Sequence, residues 1–302
     1  MLNEFYIRNN KLVGKAEWEN KIRAIQHSIK EDLDDHAEAK KELVRELIRA
    51  VNERMPEEKF GVLFSGGIDS SLIALLLKKT GKGFICYTLG FKNDDTKAPE
   101  DAEFAAKAAK ELGLNIKTRI INIRQAEELI KKTARILGHE LNNVVNVGVG
   151  GVVLGCIEMA KQDGVKFLFS GLGSEEIFAG YHRHRLAKDK QEECWNGLLA
   201  MHERDLLRDN AIAAAENRTL STPFLDEKLI ATAMKIPANF KVNDESSKLI
   251  LREVAQELGL PKEIAWRGKR AAQYGSRLDK AIDKLARKKG FKYKKDYLKS
   301  LE

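Results

Sequence analysis

The sequence predicts an α/β protein, with a mostly parallel sheet that carries helices on both faces and a helical region after it. Two observations support this prediction. Between residues 60 and 169, short apolar runs of strand length alternate with longer patterns of helical period. After about residue 190, only helical patterns remain. Ligands of such sheets bind beyond the carboxyl ends of the strands, so the loops that follow the strands are the first candidates for a site.

The pattern divides the chain into four segments. A helical leader covers residues 1–58, where Trp18, Ile22 and Ile25 recur at helical spacing. An α/β segment (59–190), a helical segment (191–283) and a basic tail (284–302) follow. Strands are predicted at 61–64, 84–89, 116–123 and 165–169, and helices at 70–79, 99–113, 124–137, 144–159, 195–215, 226–234 and 246–258.

A glycine loop follows the first predicted strand. It has the sequence SGGIDS from Ser65 to Ser70 and leads into an apolar helix. Gly66 and Gly67 allow a ligand to approach the backbone, the helix N–H groups point at it, and hydroxyls of Ser65, Ser70 and Ser71 add donors. Asp69 would repel phosphates unless a cation lay between them, which suggests Mg²⁺. A plain strand-to-helix turn also fits, but the combination favours an anion site.

The fourth predicted strand ends in a similar loop, SGLGSEEIFAGY from Ser170 to Tyr181. It should open on the same edge of the sheet as the first loop. Glu175 and Glu176 satisfy a helix N-terminus in one interpretation. In the other, one of them joins Asp69 as a second Mg²⁺ ligand. The basic run from His182 to Arg185 is interpreted as a rim that faces phosphate or substrate, or as an HxH metal ligand pair.

Three basic features lie in the last third of the chain. Lys248 falls in the first turn of a helix that Ser246 and Ser247 would cap. The helix dipole disfavours a cation there, so Lys248 is either functional or a solvated surface lysine. Residues 266–270 are expected to form a compact cationic loop. The tail, 284–302, is interpreted as a solvated, partly disordered end or as an RNA contact.

The amino-acid composition limits the classes of protein to which the chain can belong. The net charge of +8 favours anionic partners, either nucleotide or nucleic acid. The three cysteines are isolated and form no CxxC pair, so neither a zinc or iron–sulfur site nor a disulfide framework is indicated. The polar start and the lack of an apolar run of membrane-spanning length predict a cytoplasmic protein that contacts no membrane.

Four segments together resemble one family. Residues 65–70 resemble the SGGxDS loop of the ATP pyrophosphatase (PP-loop) superfamily, and residues 170–181 resemble the SGxGxDExxxGY element of asparagine synthetases. Residues 208–226 resemble their RD…PFLD region, and residues 248–269 their K…LRE…LP…RxK series. Order and spacing agree from about residue 40 to 280. The chain therefore resembles the synthetase domain of asparagine synthetases, and most of all the asparagine synthetase domain-containing branch.

This resemblance implies an adenine nucleotide alpha-hydrolase-like fold and a ligase that uses ATP and Mg²⁺. Such a ligase adenylates a small carboxylate substrate, releases pyrophosphate and transfers the acyl group to ammonia or an amine. By position, Asp69 and Glu175 would bind Mg²⁺, and Lys248, Lys269 and Arg267 would act on the reacting phosphates. The nucleotide-binding residues carried over in the same way are Leu63, Ser65, Gly66, Gly67, Asp69, Ser70, Leu89, Ser170 and Gly171.

Two departures from the family pattern matter. Leu2 stands where the glutaminase domain carries its Cys, and the leader is short. Glutamine hydrolysis in this chain is therefore not expected, and the nitrogen would come from ammonia, an amine or a separate amidotransferase subunit. Leu172 stands where asparagine synthetases usually have Glu, which puts aspartate as substrate, and amide formation itself, in question. The alternatives are a PP-loop enzyme that modifies tRNA and an ATP-binding protein that lacks the amidation step.

Overall fold

The computed structural model describes residues 4–8, 11–93, 99–268 and 271–301. Its strands are β1 (Ile7–Arg8), β2 (Lys11–Leu12), β3 (Phe60–Leu63), β4 (Ile85–Phe91), β5 (Ile116–Ile121), β6 (Phe167–Phe169) and β7 (Thr219–Ser221). β1 and β2 pair with each other in antiparallel orientation. The other five strands form one parallel sheet in the order β5–β4–β3–β6–β7.

Helices cover both faces of this sheet, as the alternating pattern predicts. They are α1 (Lys15–Ser28), α2 (His36–Asn52), α3 (Ile68–Lys79), α4 (Glu100–Glu111), α5 (Ile123–Leu141), α6 (Val144–Gln162), α7 (Ser174–Ile177), α8 (His182–Leu186), α9 (Lys190–Met201), α10 (Leu207–Ala215), α11 (Glu227–Lys235), α12 (Ala238–Lys241), α13 (Leu249–Glu257), α14 (Lys262–Ala265), α15 (Ala272–Gly275), α16 (Leu278–Lys288) and α17 (Lys294–Lys299). A π-helical turn (His202–Leu206) joins α9 to α10, and a 3₁₀ turn (Pro223–Leu225) precedes α11.

Two apolar cores lie on opposite faces of the sheet. Residues of α1 to α4, α9, α11 and α13 pack into one core, and residues of α5, α6, α10, α16 and α17 pack into the other. Successive side chains of β4 enter alternate cores, Cys86 the first and Tyr87 the second, because side chains alternate across a strand. The predicted fold class is confirmed.

The order of the strands fixes where a ligand can bind. From β3 the chain runs outward to β4 and β5, then returns to place β6 on the other side of β3. In this register Val62 lies opposite both Cys86 and Phe169. The loops after β3 and β6 therefore diverge at a topological switch point, where sheets of this class form their binding crevice.

One prediction about the sheet is wrong. Strand β7 lies in the segment where only helices were expected, and it extends the sheet beyond β6 with Leu220 opposite Leu168. It escapes the sequence pattern because it has only three residues, between a turn at Asn217 (φ 52°) and Pro223. Three residues are too few to show the alternation that marks a strand.

The leader is tied to the sheet by a buried ion network. Arg54 donates hydrogen bonds to Glu4 (3.2 Å) and Asp226 (2.8 Å), and Glu4 also accepts from the hydroxyls of Ser221 (3.1 Å) and Thr222 (3.2 Å) at the end of β7. Asp226 in turn caps α11 by accepting from two of its N–H groups. The PFLD segment therefore serves as a structural anchor for the leader.

Helix α6 is long and apolar enough to cross a membrane by length and composition alone, although the sequence analysis identified no such run. In this fold, 67% of its apolar window is buried. Its glycines allow side chains of other elements to pack against the helix backbone. A Cβ at Gly150 would lie 2.6 Å from Ile212, and a Cβ at Gly155 would lie 2.7 Å from Leu89. Close packing inside the core accounts for its composition.

The basic tail differs from its prediction as a partly disordered end. Helix α17 packs on α16 with Tyr297 (2% exposed) and Leu298 fully inside the second core. The Asn142 side chain holds the Leu298 carbonyl at 2.9 Å. Apolar residues between the lysines fix this segment to the domain. The basic composition of the segment hid this apolar pattern in the sequence.

Candidate active site

A cavity of about 420 Å³ opens at the carboxyl ends of the central strands. The two glycine loops that the sequence singled out form adjoining parts of its wall, as the switch-point rule predicts. Its described lining residues include all but two of the predicted site residues: Leu63, Ser65, Gly67, Asp69, Ser70, Leu89, Ser170, Gly171, Glu175, Lys248 and Arg267. Gly66 belongs to the first loop but does not line the cavity, and Lys269 lies outside the described residues.

The loop after β3 is fixed by its own hydroxyls. Ser70 accepts a hydrogen bond from the Ser65 N–H (3.2 Å), and Ser65 accepts from the Gly67 N–H (3.3 Å). Gly66 has φ 69°, and a Cβ there would lie 2.8 Å from the α4 backbone. Gly67 begins α3 without a side-chain cap, so the start of the helix faces the cavity. Ser71, by contrast, is fully buried and does not line the cavity.

Lys248 lies at the centre of the site. Its Nζ donates to both carboxylate oxygens of Asp69 (2.7 Å each), to Ser174 (2.9 Å) and to Glu175 (2.5 Å). Burial lowers the pKa of this lysine, but the charges of Asp69 and Glu175 outweigh the burial, so the net pKa is raised. The side chain is 2% exposed, and the ammonium is therefore a fixed, buried cation.

The backbone at Lys248 differs from the prediction. The residue precedes α13 instead of lying in its first turn, and its φ and ψ of 58° and 32° are left-handed. Such a conformation is costly for a residue with a side chain and is typical of functional sites. Arg252 stabilises this turn by donating to the Ser247 carbonyl at 2.7 Å. The turn directs the lysine back toward the loops after β3 and β6.

Gly180 makes room for this arrangement. A Cβ at this position would lie 1.9 Å from Glu175 Oε2 and 2.4 Å from Lys248 Cε. The φ of Gly180 is not in the left-handed region, so the requirement for glycine is one of space. Gly180, the glycine of the SGxGxDExxxGY-like segment, therefore provides the space in which Glu175 and Lys248 lie.

Asp69 and Glu175 could share a divalent cation with a ligand. Both carboxylates converge on Lys248 Nζ, so a divalent cation that they shared would lie beside this ammonium, and Mg²⁺ is commonly held by one or two carboxylates together with phosphate oxygens. No group of three or more His, Cys, Asp or Glu that could hold a metal occurs within the described parts of the chain. The donor set therefore fits a cation that arrives with phosphate, and it does not form a complete protein-only site. Glu176 points elsewhere, toward Arg204.

Arg267 supports the first loop from behind. It donates to the Ser65 carbonyl (2.8 Å) and to Asp101 (2.7 Å), and its guanidinium lies 4.0 Å from the centroid of the Phe104 ring. These contacts use the guanidinium to hold the loop against α4. A direct action on phosphate remains a prediction.

A second polar cluster lines the cavity, and the sequence reasoning missed most of it. Arg204 pairs with Glu176 and with Asp205 (2.6 Å), and Arg208 pairs with Asp205 (3.1 Å) and Asp209 (2.6 Å). Burial raises the pKa of Asp209 despite its pairing with Arg208. Arg204 and Asp205 lie on the π-helical turn, a feature that often marks functional sites, and Arg208 and Asp209 follow in the first turn of α10. Only Glu176 and the Arg208–Asp209 pair gave a signal in the sequence.

The basic run after Tyr181 is partly a rim and is not a metal ligand pair. The guanidinium carbon of Arg183 lies 4.2 Å from the Tyr181 ring centroid, at the cavity wall. His184 is fully buried, and its Nδ1 accepts from the Tyr181 N–H (3.1 Å). Burial, with the nearby Arg183 charge, lowers the pKa of His184 to about 4. His184 is therefore a neutral structural residue near pH 7.

An apolar wall completes the cavity. It consists of Leu63, Leu89 and one face of α6, including Val149 and Cys156. Leu172, in the loop after β6, also lines the cavity. The Cys156 thiol is buried, and burial raises its pKa to about 12. This lining could contact a flat apolar group such as a base.

The fold and the cavity together define an α/β protein whose binding site lies at the switch point of the sheet. One part of this site is a loop suited to an anion, and another part is apolar. The family model of asparagine synthase matches residues 42–195 and 187–296. The chain belongs to this asparagine synthase family.

Individual relatives agree with the family. The chain is 34% identical over 299 residues to a protein of Methanocaldococcus jannaschii that is provisionally named asparagine synthetase [glutamine-hydrolyzing] 1, a match that covers 86% of this chain and 54% of the relative. It is 31% identical to asparagine synthetase B [glutamine-hydrolyzing] of Escherichia coli, over 83% of this chain and 48% of the relative. The chain thus spans about half the length of the curated relatives that it matches.

A solved structure of NMN synthetase from Francisella tularensis is a remote structural neighbour. It is 15% identical, covers 87% of this chain and 92% of its own, and gives a TM-score of 0.42. This likeness has no bearing on the assignment of function.

Proposed function

We propose that the protein is an ATP- and Mg²⁺-dependent ligase that adenylates a carboxylate, releases pyrophosphate and transfers the acyl group to ammonia or an amine. One observation supports this most strongly. A buried ammonium, Lys248, is held by Asp69 and Glu175 directly beside the anion loop. A fixed cation of this kind stabilises negative charge as it develops on phosphoryl or carbonyl oxygens in a transition state.

The reaction has two steps in this cavity. A carboxylate oxygen of the substrate bonds to the α-phosphorus of ATP, and the bond to the β-phosphate bridging oxygen breaks, so pyrophosphate leaves. The amine nitrogen then attacks the carbonyl carbon, AMP leaves with its oxygen, and the nitrogen releases a proton. The loop at Ser65 to Ser70 binds the pyrophosphate through backbone N–H groups, and the apolar wall with Leu63 and Leu89 takes the adenine.

The charge of the cavity supports the need for Mg²⁺. Among the described lining residues, six are acidic and six are basic, so the wall offers no net positive charge to a polyphosphate. The nucleotide must therefore bring its own cation. Mg²⁺, when bound, neutralises phosphate charge and polarises phosphoryl oxygens. Asp69 and Glu175 would hold it beside Lys248.

The second polar cluster is the proposed place of the carboxylate substrate. It presents guanidinium and carboxylate groups together, at Arg204, Arg208, Asp205 and Asp209. Such a mixed set suits a small substrate that carries both charges, such as an amino acid. Leu172, in place of a carboxylate, gives the cavity an apolar side where the substrate would meet the nucleotide.

Pyrophosphate release tests this proposal. Purified protein with ATP and Mg²⁺ would be given a panel of amino acids and other small carboxylates, each with and without ammonia. We expect pyrophosphate and AMP to form with at least one carboxylate, and EDTA to abolish the signal. Saturable ATP binding without pyrophosphate from any carboxylate would contradict the proposal and favour an ATP-binding protein that lacks ligase activity.

Gly180→Ala is expected to disable the site without unfolding the protein. The added methyl must displace Glu175 or Lys248, and a shift of about 1 Å in a catalytic group can lower a rate about 10²-fold. The rate of pyrophosphate release and the circular dichroism spectrum would be measured together. Gly83→Ala is the control, because a Cβ there meets nothing within 4 Å. Equal rates for the two variants would contradict the predicted geometry.

A further inference from the structure

Most of the net positive charge of the chain is concentrated in its C-terminal segment. Residues 284–302 contain eight lysines and arginines against two acids, Asp296 and Glu302, which accounts for six of the net eight positive charges. The proposed ligase chemistry uses none of these residues, since none of them lines the cavity. This concentration therefore needs a separate explanation.

The basic segment is a fixed surface. Helices α16 and α17 form a hairpin whose apolar side, including Ile282, Leu285 and Leu298, is buried in the second core. The charged side faces outward, with Lys288, Lys292 and other cations exposed. A cationic surface that is already ordered pays little entropy to bind an extended anion.

The exposed cations lack acidic partners. Lys288, Lys292, Lys295 and Lys299 form no ion pair with any residue that the structure describes. Elsewhere on the surface, exposed lysines often have one, such as Lys107 with Glu263 and Lys117 with Asp163 at 2.5 Å. Four ammonium groups without acidic partners on one helical hairpin favour a polyanionic partner.

An exposed aromatic ring lies among these lysines. Tyr293 is 51% exposed, and the Nζ atoms of Lys292 and Lys295 lie 5.3 Å and 5.7 Å from its ring centroid. An exposed ring flanked by cations provides both elements of single-stranded nucleic acid binding, a face on which a base stacks and charges that contact phosphates. A polyanion without bases, such as an acidic protein segment or a lipid surface, would not use the ring in this way.

The surface continues toward the cavity along α16. Lys280, Lys284 and Lys288 are four residues apart and so lie along one side of the helix. The helix begins just after α15, where Ala272 and Gln273 line the cavity. A strand that follows this stripe would run from Tyr293 toward the cavity.

We propose that the outer face of α16 and α17 binds RNA with unpaired bases, through Lys288, Lys292, Lys295 and Lys299 on phosphates and Tyr293 under a base. The binding needs neither ATP nor the ligase reaction. Pyrophosphate release therefore tests the ligase proposal, RNA binding tests this one, and either can fail without the other.

The test measures the anisotropy of a fluorescent, unstructured 20-nucleotide RNA with the full chain at several salt concentrations. Changing the four lysines together to Gln should lower the slope of log K against log salt by about three, since each phosphate contact on a single strand contributes about 0.7. The control is a matched quadruple change of Lys41, Lys79, Lys110 and Lys228, which are also exposed and should leave the slope unchanged.

Tyr293→Ala separates RNA from other polyanions. We expect it to weaken RNA binding by about fivefold to 150-fold and to leave heparin binding unchanged, whereas Tyr293→Phe keeps the ring and should bind RNA as wild type does. Absence of saturable RNA binding in 50 mM salt, or equal slopes for the two quadruple variants, would overturn the proposal. So would an unaffected Tyr293→Ala variant, or stronger binding to vesicles of anionic lipid than to RNA.

Discussion

Replacing Lys248 by Met should lower the rate of pyrophosphate release about 10²–10³-fold, the usual cost of removing one preorganised charge from a transition state. The methionine side chain fills most of the same space, but it leaves Asp69 and Glu175 without the ammonium that they share at 2.7 and 2.5 Å. The loss should appear in kcat more than in KM for ATP, because the loop at Ser65 to Ser70 is unchanged.

Lys241→Met is the matched control for this change. Lys241 is also a fully buried lysine, but it does not line the cavity, and burial lowers its pKa to about 8. We expect its rate of pyrophosphate release to equal that of wild type. Equal losses in the two variants would mean that any buried lysine supports the fold, and that Lys248 has no role of its own in the reaction.

Arg54→Met should destabilise the protein by about 3–5 kcal/mol, the cost of removing one partner of a buried ion pair. Arg54 is 5% exposed, and its loss would strand Glu4, which is 3% exposed, without a cationic partner. Burial lowers the pKa of Arg54, but the charges of Glu4 and Asp226 outweigh the burial, so the net pKa is raised. The measurement is the midpoint of unfolding in urea.

Arg45→Met is the control for the stability experiment. Arg45 lies on α2 and pairs with Glu42 and Glu46, but its side chain is 65% exposed, and surface ion pairs contribute about 0–1 kcal/mol. A similar shift of the midpoint in both variants would contradict the anchoring of the leader through Glu4 and Asp226.

Local pattern was sufficient for the parts of the structure that depend on neighbouring residues. Each predicted strand from 61–64 to 165–169 exists, and the helix-ending glycines Gly81 and Gly113 have positive φ, as C-caps require. The two glycine loops meet because parallel strands place their carboxyl ends on one edge. Asp69 and Glu175 converge for the same reason.

The features of the site that the sequence did not predict depend on contacts between residues far apart in the chain. Lys248 lies 179 residues from Asp69 and 73 from Glu175, and only the left-handed turn before α13 brings them together. No helical or strand period records such a turn. Glu4 and Arg54 of the leader gave no signal in the sequence either, because their partners, from the end of β7 to Asp226, lie far away along the chain.

The second polar cluster was hidden for a different reason. Arg204 and Asp205 lie in a run that resembles any charged helical surface, and their burial depends on the π-helical turn that rotates them toward the cavity. The turn inserts one extra residue into a continuous helix, which the hydrophobic period does not resolve. The residues that we propose to contact the substrate are thus the least predictable part of the site.

Transfer of a heavy oxygen atom tests the central claim most directly. The carboxylate that supports pyrophosphate release would be labelled with ¹⁸O in both oxygens, and the AMP formed with ammonia or an amine would be analysed by mass spectrometry. Adenylation of the carboxylate predicts one ¹⁸O in the phosphate of each AMP molecule. AMP without label, or ADP and phosphate in place of AMP and pyrophosphate, would contradict the account.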